Sequence, residues 1–193
     1  MKKILIVTRN FPPLRGGMER LNLRMAEELS RAAEVRLIAP EGAENHVAKS
    51  IAVAAVPLDP LGRFLCAAGL RAFREARSWR PDVVLAGSGL TAPMALIAAR
   101  ACGARAAAYV HGLDLTVPHP IYRAFWRPAL RRLDAVIANS QATSKLGQDI
   151  GLSIRRISVI PPGVDLLPAP DASARERFRA AHDLGSGPVL LSV

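Results

Sequence analysis

Cysteine is scarce. Cys66 and Cys102 are the only two in 193 residues, far apart and outside any C-x-x-C spacing. That argues against a disulfide framework or a zinc ribbon and fits a reducing compartment. Long apolar runs are missing too. The run that follows Lys2 and Lys3 ends at Val7, a strand's length, too short for a secretory leader, and no stretch reaches the ~18 uncharged apolar residues of a membrane span. A cytoplasmic protein is expected. Aromatics make up only 5% of the chain and no nucleic-acid motif accompanies the basic balance, so nucleic acid is not expected as a partner. H-E-x-x-H, G-x-S-x-G, G-x-G-x-x-G and a Walker G-K-[ST] are all absent, as is any paired-carboxylate site. No metal and no cofactor are expected.

What is present is a large apolar fraction, 50% of residues, enough for a core without staples. The formal charge is +10, from 26 basic and 16 acidic residues, and arginine supplies most of it. Short apolar runs alternate with stretches of helical period. KILIVT, EVRLIAP, IAVAAVP, PDVVLAG, RAAAYVHG, DAVIANS and RISVIPPG read as strands. Helices are predicted at 17–30, with Leu21, Met25 and Leu29 on the inner face, at 61–79, with Leu65, Leu70 and Phe73 inward, and at 92–102, 121–133 and 142–150. This alternation predicts an α/β fold, a doubly wound Rossmann-like parallel sheet. Ligands of such sheets lie beyond the C-terminal ends of the strands. That directs attention to TRNFPPLRGG, LAGSGL, YVHGLD, ANSQAT and IPPGVD.

Residues 1–165 are read as one domain. After Asp165 the texture changes to a proline-bearing connector, a charged helix in ARERFRAAHDL, and GPVLLSV, which begins like a buried strand and stops. Residues 166–193 are therefore expected to be a linker, a short helix and the first strand of a second domain that is cut off.

Each strand tail has two readings. FPPLRGGMER is either a plain turn or a loop in which Gly16 and Gly17, through positive φ or close backbone approach, let a phosphate reach a helix N-terminus, with Glu19 in its first turn. His111, followed by Gly112, Leu113 and Asp114, stands where substrates stand, or else hydrogen-bonds a neighbouring loop. Ser140 in ANSQAT suits an N-cap better than a ligand contact. Pro162 and Gly163 make a stiff exit, an ordinary turn or an interdomain hinge. Arg123, Arg127 and Arg131 recur every four residues and share a helix face, with Tyr122, Phe125 and Trp126 on other sides. Such a face suits an anionic membrane, a phosphorylated acceptor, or plain solvent.

FPPLRGGMERL, HGLD, ANSQAT and VIPPGVD, in that order at strand ends, give the whole chain a resemblance to the N-terminal half of a family 4 (group 1) glycosyltransferase of the GT-B fold. The resemblance implies two Rossmann-like domains around a cleft. Sugar would pass from a nucleotide-sugar donor to an acceptor, an envelope glycan or glycolipid, with retention of configuration and without a required metal. By motif, Gly16 and Gly17 would lie near the donor diphosphate and His111 by the transferring sugar. Glu19, Asp114 and Ser140 complete the donor or substrate side, and Arg123, Arg127 and Arg131 the membrane or acceptor side. Pro162 to Asp165 would lead into the linker. The family's donor-binding elements belong to the second domain, so these residues alone are expected to be inactive. A related sugar-nucleotide enzyme such as an epimerase, or a non-enzymatic binding module, remains the alternative, and location is expected to be cytoplasmic or peripheral on the inner membrane face.

Overall fold

The computed structural model describes residues 1–164 and 171–190. Seven strands, β1 (Lys2–Val7), β2 (Ala33–Pro40), β3 (Ala52–Val56), β4 (Val83–Ala86), β5 (Arg105–Val110), β6 (Ala135–Ala138) and β7 (Ile157–Val159), form one sheet in the order β3-β2-β1-β4-β5-β6-β7. Every pairing is parallel, with Ile4 opposite both Val35 and Val83, and Val110 opposite Ala138. The order reverses between β1 and β4, where the chains leaving the two strands diverge. This is the doubly wound sheet that the alternation predicts.

The helices are α1 (Gly17–Ser30), α2 (Leu61–Trp79), α3 (Ala92–Cys102), α4 (Gly112–Thr116), α5 (Pro120–Arg131), α6 (Gln141–Asp149) and α7 (Ala172–Ala181). Successive strand residues point to opposite faces. Leu5, Val7, Val84 and Ala86 therefore join a core with α2 and α3, while Ile6, Val35, Leu37 and Leu85 join a second core with α1. Because both faces are covered, the strands carry continuous apolar runs rather than alternation.

Three helices have the predicted bounds, but two of their inner faces differ. In α2 the buried residues are Phe64, Ala68, Ala72, Ala76 and Trp79, whereas Leu70 is 52% exposed and Phe73 37%. The alanines let α2 lie close against Ala92, Ala95, Ala98 and Ala99 of α3, so small residues rather than large ones mark the contact. In α1 the fully buried positions are Asn22 and Ala26, with Met25 and Leu29 only partly covered. α4 is a short helix where a simple exit from β5 is predicted, and the last strand shrinks from RISVIPPG to Ile157–Val159.

The chain divides into two compact units, 1–162 and 163–193. In the second, Asp171 caps α7 by accepting the Ser173 N–H at 3.0 Å. Among the described residues Pro188 to Leu190 have no strand partner, and Leu190 is fully exposed. The rest of the predicted final strand, 191–193, and most of the predicted connector, 165–170, lie outside the described residues.

At the reversal point Gly87 donates its N–H to Val7 O at 3.0 Å. A Cβ on Gly87 would stand 2.5 Å from Asn22 Oδ1 and 2.7 Å from Thr8 Cβ, both on fully buried residues. Gly87→Ala is expected to destabilise the protein by about 1–3 kcal/mol, the cost of overpacking a filled core. A Cβ on Gly17 would meet nothing within 4 Å, so Gly17→Ala is expected to be neutral or stabilising. Urea denaturation of the two variants measures the contrast.

Candidate functional site

All seven strands are parallel, so the segments after β1, β4, β5 and β6 emerge on one edge. The first is fastened down. Phe11 is fully buried in the α1-side core. Thr8 Oγ1 accepts the Asn10 N–H at 3.1 Å, and Asn22 Nδ2 donates to Asn10 O at 2.9 Å. Neither predicted phosphate-loop glycine uses left-handed backbone. Gly16 has φ 167°, extended geometry open to any residue, and Gly17 begins α1. The space that Gly16 leaves is taken by the Glu19 carboxylate, whose Oε2 crowds the position a Cβ would fill. Glu19 Oε1 accepts from Asn10 Nδ2 at 3.0 Å. A carboxylate thus stands at the positive end of α1, where such charge is favoured by ~0.3–1 kcal/mol. Close approach is the property Gly16 supplies, and the group approaching is a side chain of the same helix.

Residues 111 and 139 follow the neighbouring strands β5 and β6. His111 is half-buried, and its backbone N–H donates to Asp114 Oδ2 at 2.9 Å, which fixes the start of α4. Asp114 is therefore a backbone clamp on His111. Its own position depends on Gly89, where a Cβ would lie 2.6 Å from Asp114 Cβ and 3.1 Å from Tyr122 Oη. The imidazole Nδ1 is 3.3 Å from Asn139 Nδ2, and Nε2 is buried without a partner among the described residues. One ring nitrogen thus meets the neighbouring loop, as one of the two sequence readings has it, and the other has no partner among the described residues. Burial lowers the His111 pKa below its ordinary value, and the Asp114 charge only partly opposes this. The Tyr122 hydroxyl is buried and has no partner among the described residues; burial, and secondarily Asp114, push its pKa up. Tyr122 stacks on Trp126 at 5.3 Å, and Trp126 Nε1 donates to Leu90 O at 2.7 Å, tying α5 to the loop after β4.

Ser140 caps α6, its Oγ accepting the Thr143 N–H at 3.1 Å, the role its residue type favours. The three arginines of α5 do not form one free face. Arg123 is exposed, Arg127 has a buried Nε without a partner among the described residues, and Arg131 donates Nε–H to Ile150 O at 2.7 Å while packing over Gly151. The boundary between the two compact units falls between Pro162 and Gly163. Sequence reasoning passed over Asn22, and it noted ANSQAT and LAGSGL as strand tails without assigning a role to Asn139 or to the Gly87–Ser88–Gly89 turn. Asn22 and Ser88 are fully buried, and each has a side-chain oxygen without a partner among the described residues. The detectable signal was a polar residue at an inward helix position.

Residues 15–166 match the family described as Glycosyltransferase Family 4. The chain is 31% identical over 197 residues to the GDP-mannose-dependent alpha-(1-6)-phosphatidylinositol monomannoside mannosyltransferase of Mycolicibacterium smegmatis. That alignment covers 97% of this chain and 51% of the relative, so the chain spans about half the length of the curated relative it matches. Among solved structures, Anabaena HepE in complex with UDP superposes with a TM-score of 0.70 at 18% identity, covering 95% of this chain and 50% of that one. Sucrose-phosphate synthase from Thermosynechococcus elongatus gives 0.72 at 15%, covering 93% and 53%. At these identities the structural matches speak for the fold.

His111 sets a pH dependence. Its folded pKa lies below the unfolded value near 6.5, so both states are neutral above that pH. As pH falls through it the unfolded state takes the proton first, and stability drops until the folded pKa is reached. Wild type is expected to lose more stability than His111→Gln between pH 7.5 and 5, measured by urea denaturation at each pH. Gly89→Ala, which pushes on Asp114, is expected to cost about 1–3 kcal/mol in the same assay.

Proposed function

The chain belongs to glycosyltransferase family 4, and from that premise we propose that it is the acceptor-side half of an enzyme that moves a sugar from a nucleotide-sugar donor onto an envelope glycan or glycolipid, with retention of configuration. The observation that carries this reading is the edge of the sheet itself. His111, with one ring nitrogen uncommitted, shares it with the glycine-bearing loop after β1. The relative's printed name, a GDP-mannose-dependent enzyme acting on a phosphatidylinositol mannoside, supports a nucleotide-sugar donor and a lipid-linked acceptor. The complex of HepE with UDP supports a nucleotide-bearing donor.

In this reading residues 1–165 form one wall of a cleft, and 166–193 lead into a second domain holding most of the donor site. Pro162 and Gly163 are the hinge. The donor diphosphate approaches Gly16 and Gly17 at the α1 N-terminus, displacing or sharing the place of Glu19. Backbone N–H groups there stabilise the charge that develops on the leaving phosphate, with no metal required. His111 donates to the transferring sugar or its phosphate, Asp114 keeps His111 in place, and Ser140 stays with α6. Closure of the second wall excludes water that would otherwise hydrolyse the donor.

A peripheral position on the cytoplasmic membrane face fits the α4–α5 surface. Leu113, Ile121 and Phe125 are 81%, 58% and 68% exposed, with Arg123 exposed beside them. No helix among the described residues is long and apolar enough to cross a membrane.

The test is a screen of nucleotide sugars with the full-length protein, read as nucleotide released against an acceptor lipid extract. One donor is expected to be consumed in an acceptor-dependent way, and none consumed overturns the reading. In that assay His111→Ala is expected to lower kcat about 10²-fold or more, and His182→Ala to leave it near wild type. Co-sedimentation with anionic vesicles is expected at low salt and to fall as salt rises, with Phe125→Ser weakening it.

A further inference from the structure

We propose that Asn139 and Thr143 are positioning residues that hold His111 as the neutral Nε2–H tautomer, so that its ring offers a substrate a hydrogen-bond donor and no base. The backbone N–H of Thr143, in the first turn of α6, can only donate. It gives its proton to Ser140 Oγ at 3.1 Å. The Ser140 hydroxyl then turns its own hydrogen to Thr143 Oγ1, also 3.1 Å away. Thr143 passes its hydrogen to Asn139 Oδ1 at 2.6 Å. With its carbonyl so occupied, the Asn139 amide must aim its NH₂ at the remaining neighbour, His111 Nδ1, at 3.3 Å.

An NH₂ group cannot accept a hydrogen bond, so Nδ1 must carry the lone pair and Nε2 the proton. Ser140, Thr143 and Asn139 are all neutral, and Thr143 is 4% exposed; the nearby Asp114 carboxylate is held on the His111 backbone N–H. The 2.6 Å separation suits O–H···O and is short for N–H···O, which puts the Asn139 oxygen rather than its NH₂ against Thr143 Oγ1.

The chemical consequence concerns the ligand's side of the ring. Nε2 is buried and unpartnered among the described residues, and as N–H it seeks an oxygen, such as a sugar hydroxyl or a phosphate oxygen. It cannot take a proton from an attacking acceptor hydroxyl, because its lone pair faces Asn139. His111 therefore binds and polarises, and the proton released in transfer must leave by another route. This last step rests on the glycosyltransferase reading. The tautomer does not.

The experiment uses this 193-residue chain, with no donor or acceptor present, so failure here is distinct from failure of the transferase assignment. Two-bond ¹⁵N–¹H spectra of ¹⁵N-histidine-labelled protein at pH 7.5 report which ring nitrogen is protonated, with the His111 signals assigned by their loss in His111→Gln. Wild type is expected to show a protonated Nε2 and a bare Nδ1. Asn139→Asp places a carboxylate against Nδ1 and is expected to reverse the tautomer and raise the pKa of the ring. Thr143→Ser is expected to keep the wild-type pattern, and Thr143→Val to yield a mixture, both with unchanged circular dichroism. A protonated Nδ1 in wild type overturns the proposal whether or not any variant folds. So does an Nε2–H pattern that survives unchanged in folded Asn139→Asp.

Discussion

A parallel strand cannot pass its chain to its neighbour through a two-residue turn; a crossing segment has to carry it back to the starting edge. Every connection in this sheet obeys that requirement, and the consequence is directional. Whatever follows β1, β4, β5 or β6 begins on the same rim, whatever its sequence. Between β1 and β4 the connections leave towards opposite faces, and the gap between them is open by construction. Thr8 and Gly87, His111 and Asn139 are brought to one edge by strand direction and register, before any contact between their side chains forms.

That rim is also where polar groups are held at some cost. Asn22 Oδ1, Ser88 Oγ, His111 Nε2 and Tyr122 Oη are buried and unpartnered among the described residues. Each such group costs about 1–3 kcal/mol relative to a satisfied one. The cores behind them, made of Ala, Leu, Val and Ile, carry no such penalty and supply the stability that makes it tolerable. The division of labour follows: α2 against α3 holds the fold, and the rim keeps unsatisfied groups in place for something else to meet.

The parallel, doubly wound sheet was implied by the alternation of apolar runs with helical stretches, and the bounds of α1, α2 and α3 could be read from Gly17, from the end of the helical pattern at Trp79 and from Gly103. The inner face of α2 could not. Large residues dominate a periodicity reading, yet Leu70 points outward because the neighbouring helix offers a row of alanines that only Ala68, Ala72 and Ala76 can match in depth. At the rim, His111 was found from its place after an apolar run. The Ser140–Thr143–Asn139 chain escaped notice because Ser140 and Thr143 alone explain a helix cap, and the third member becomes meaningful only once β5 and β6 lie side by side. Likewise Asp114 looked like part of a ligand motif, and its carboxylate turns out to hold the His111 backbone. Spacing along the chain reveals which residues reach the rim, but not which of them face one another.

Glu19 folded over Gly16 changes what binding means at the start of α1. The helix end is never bare: its positive potential is already answered by a tethered anion, held by Asn10. An incoming group is therefore a replacement, and its affinity is the difference between its own attraction to the helix end and that of the carboxylate it unseats. A neutral hydroxyl gains little from such a trade, whereas a doubly charged phosphate gains from it, and the displaced carboxylate becomes a free acceptor at the mouth of the crevice. If the donor diphosphate binds at this loop as proposed, the Glu19 carboxylate is the group it has to unseat.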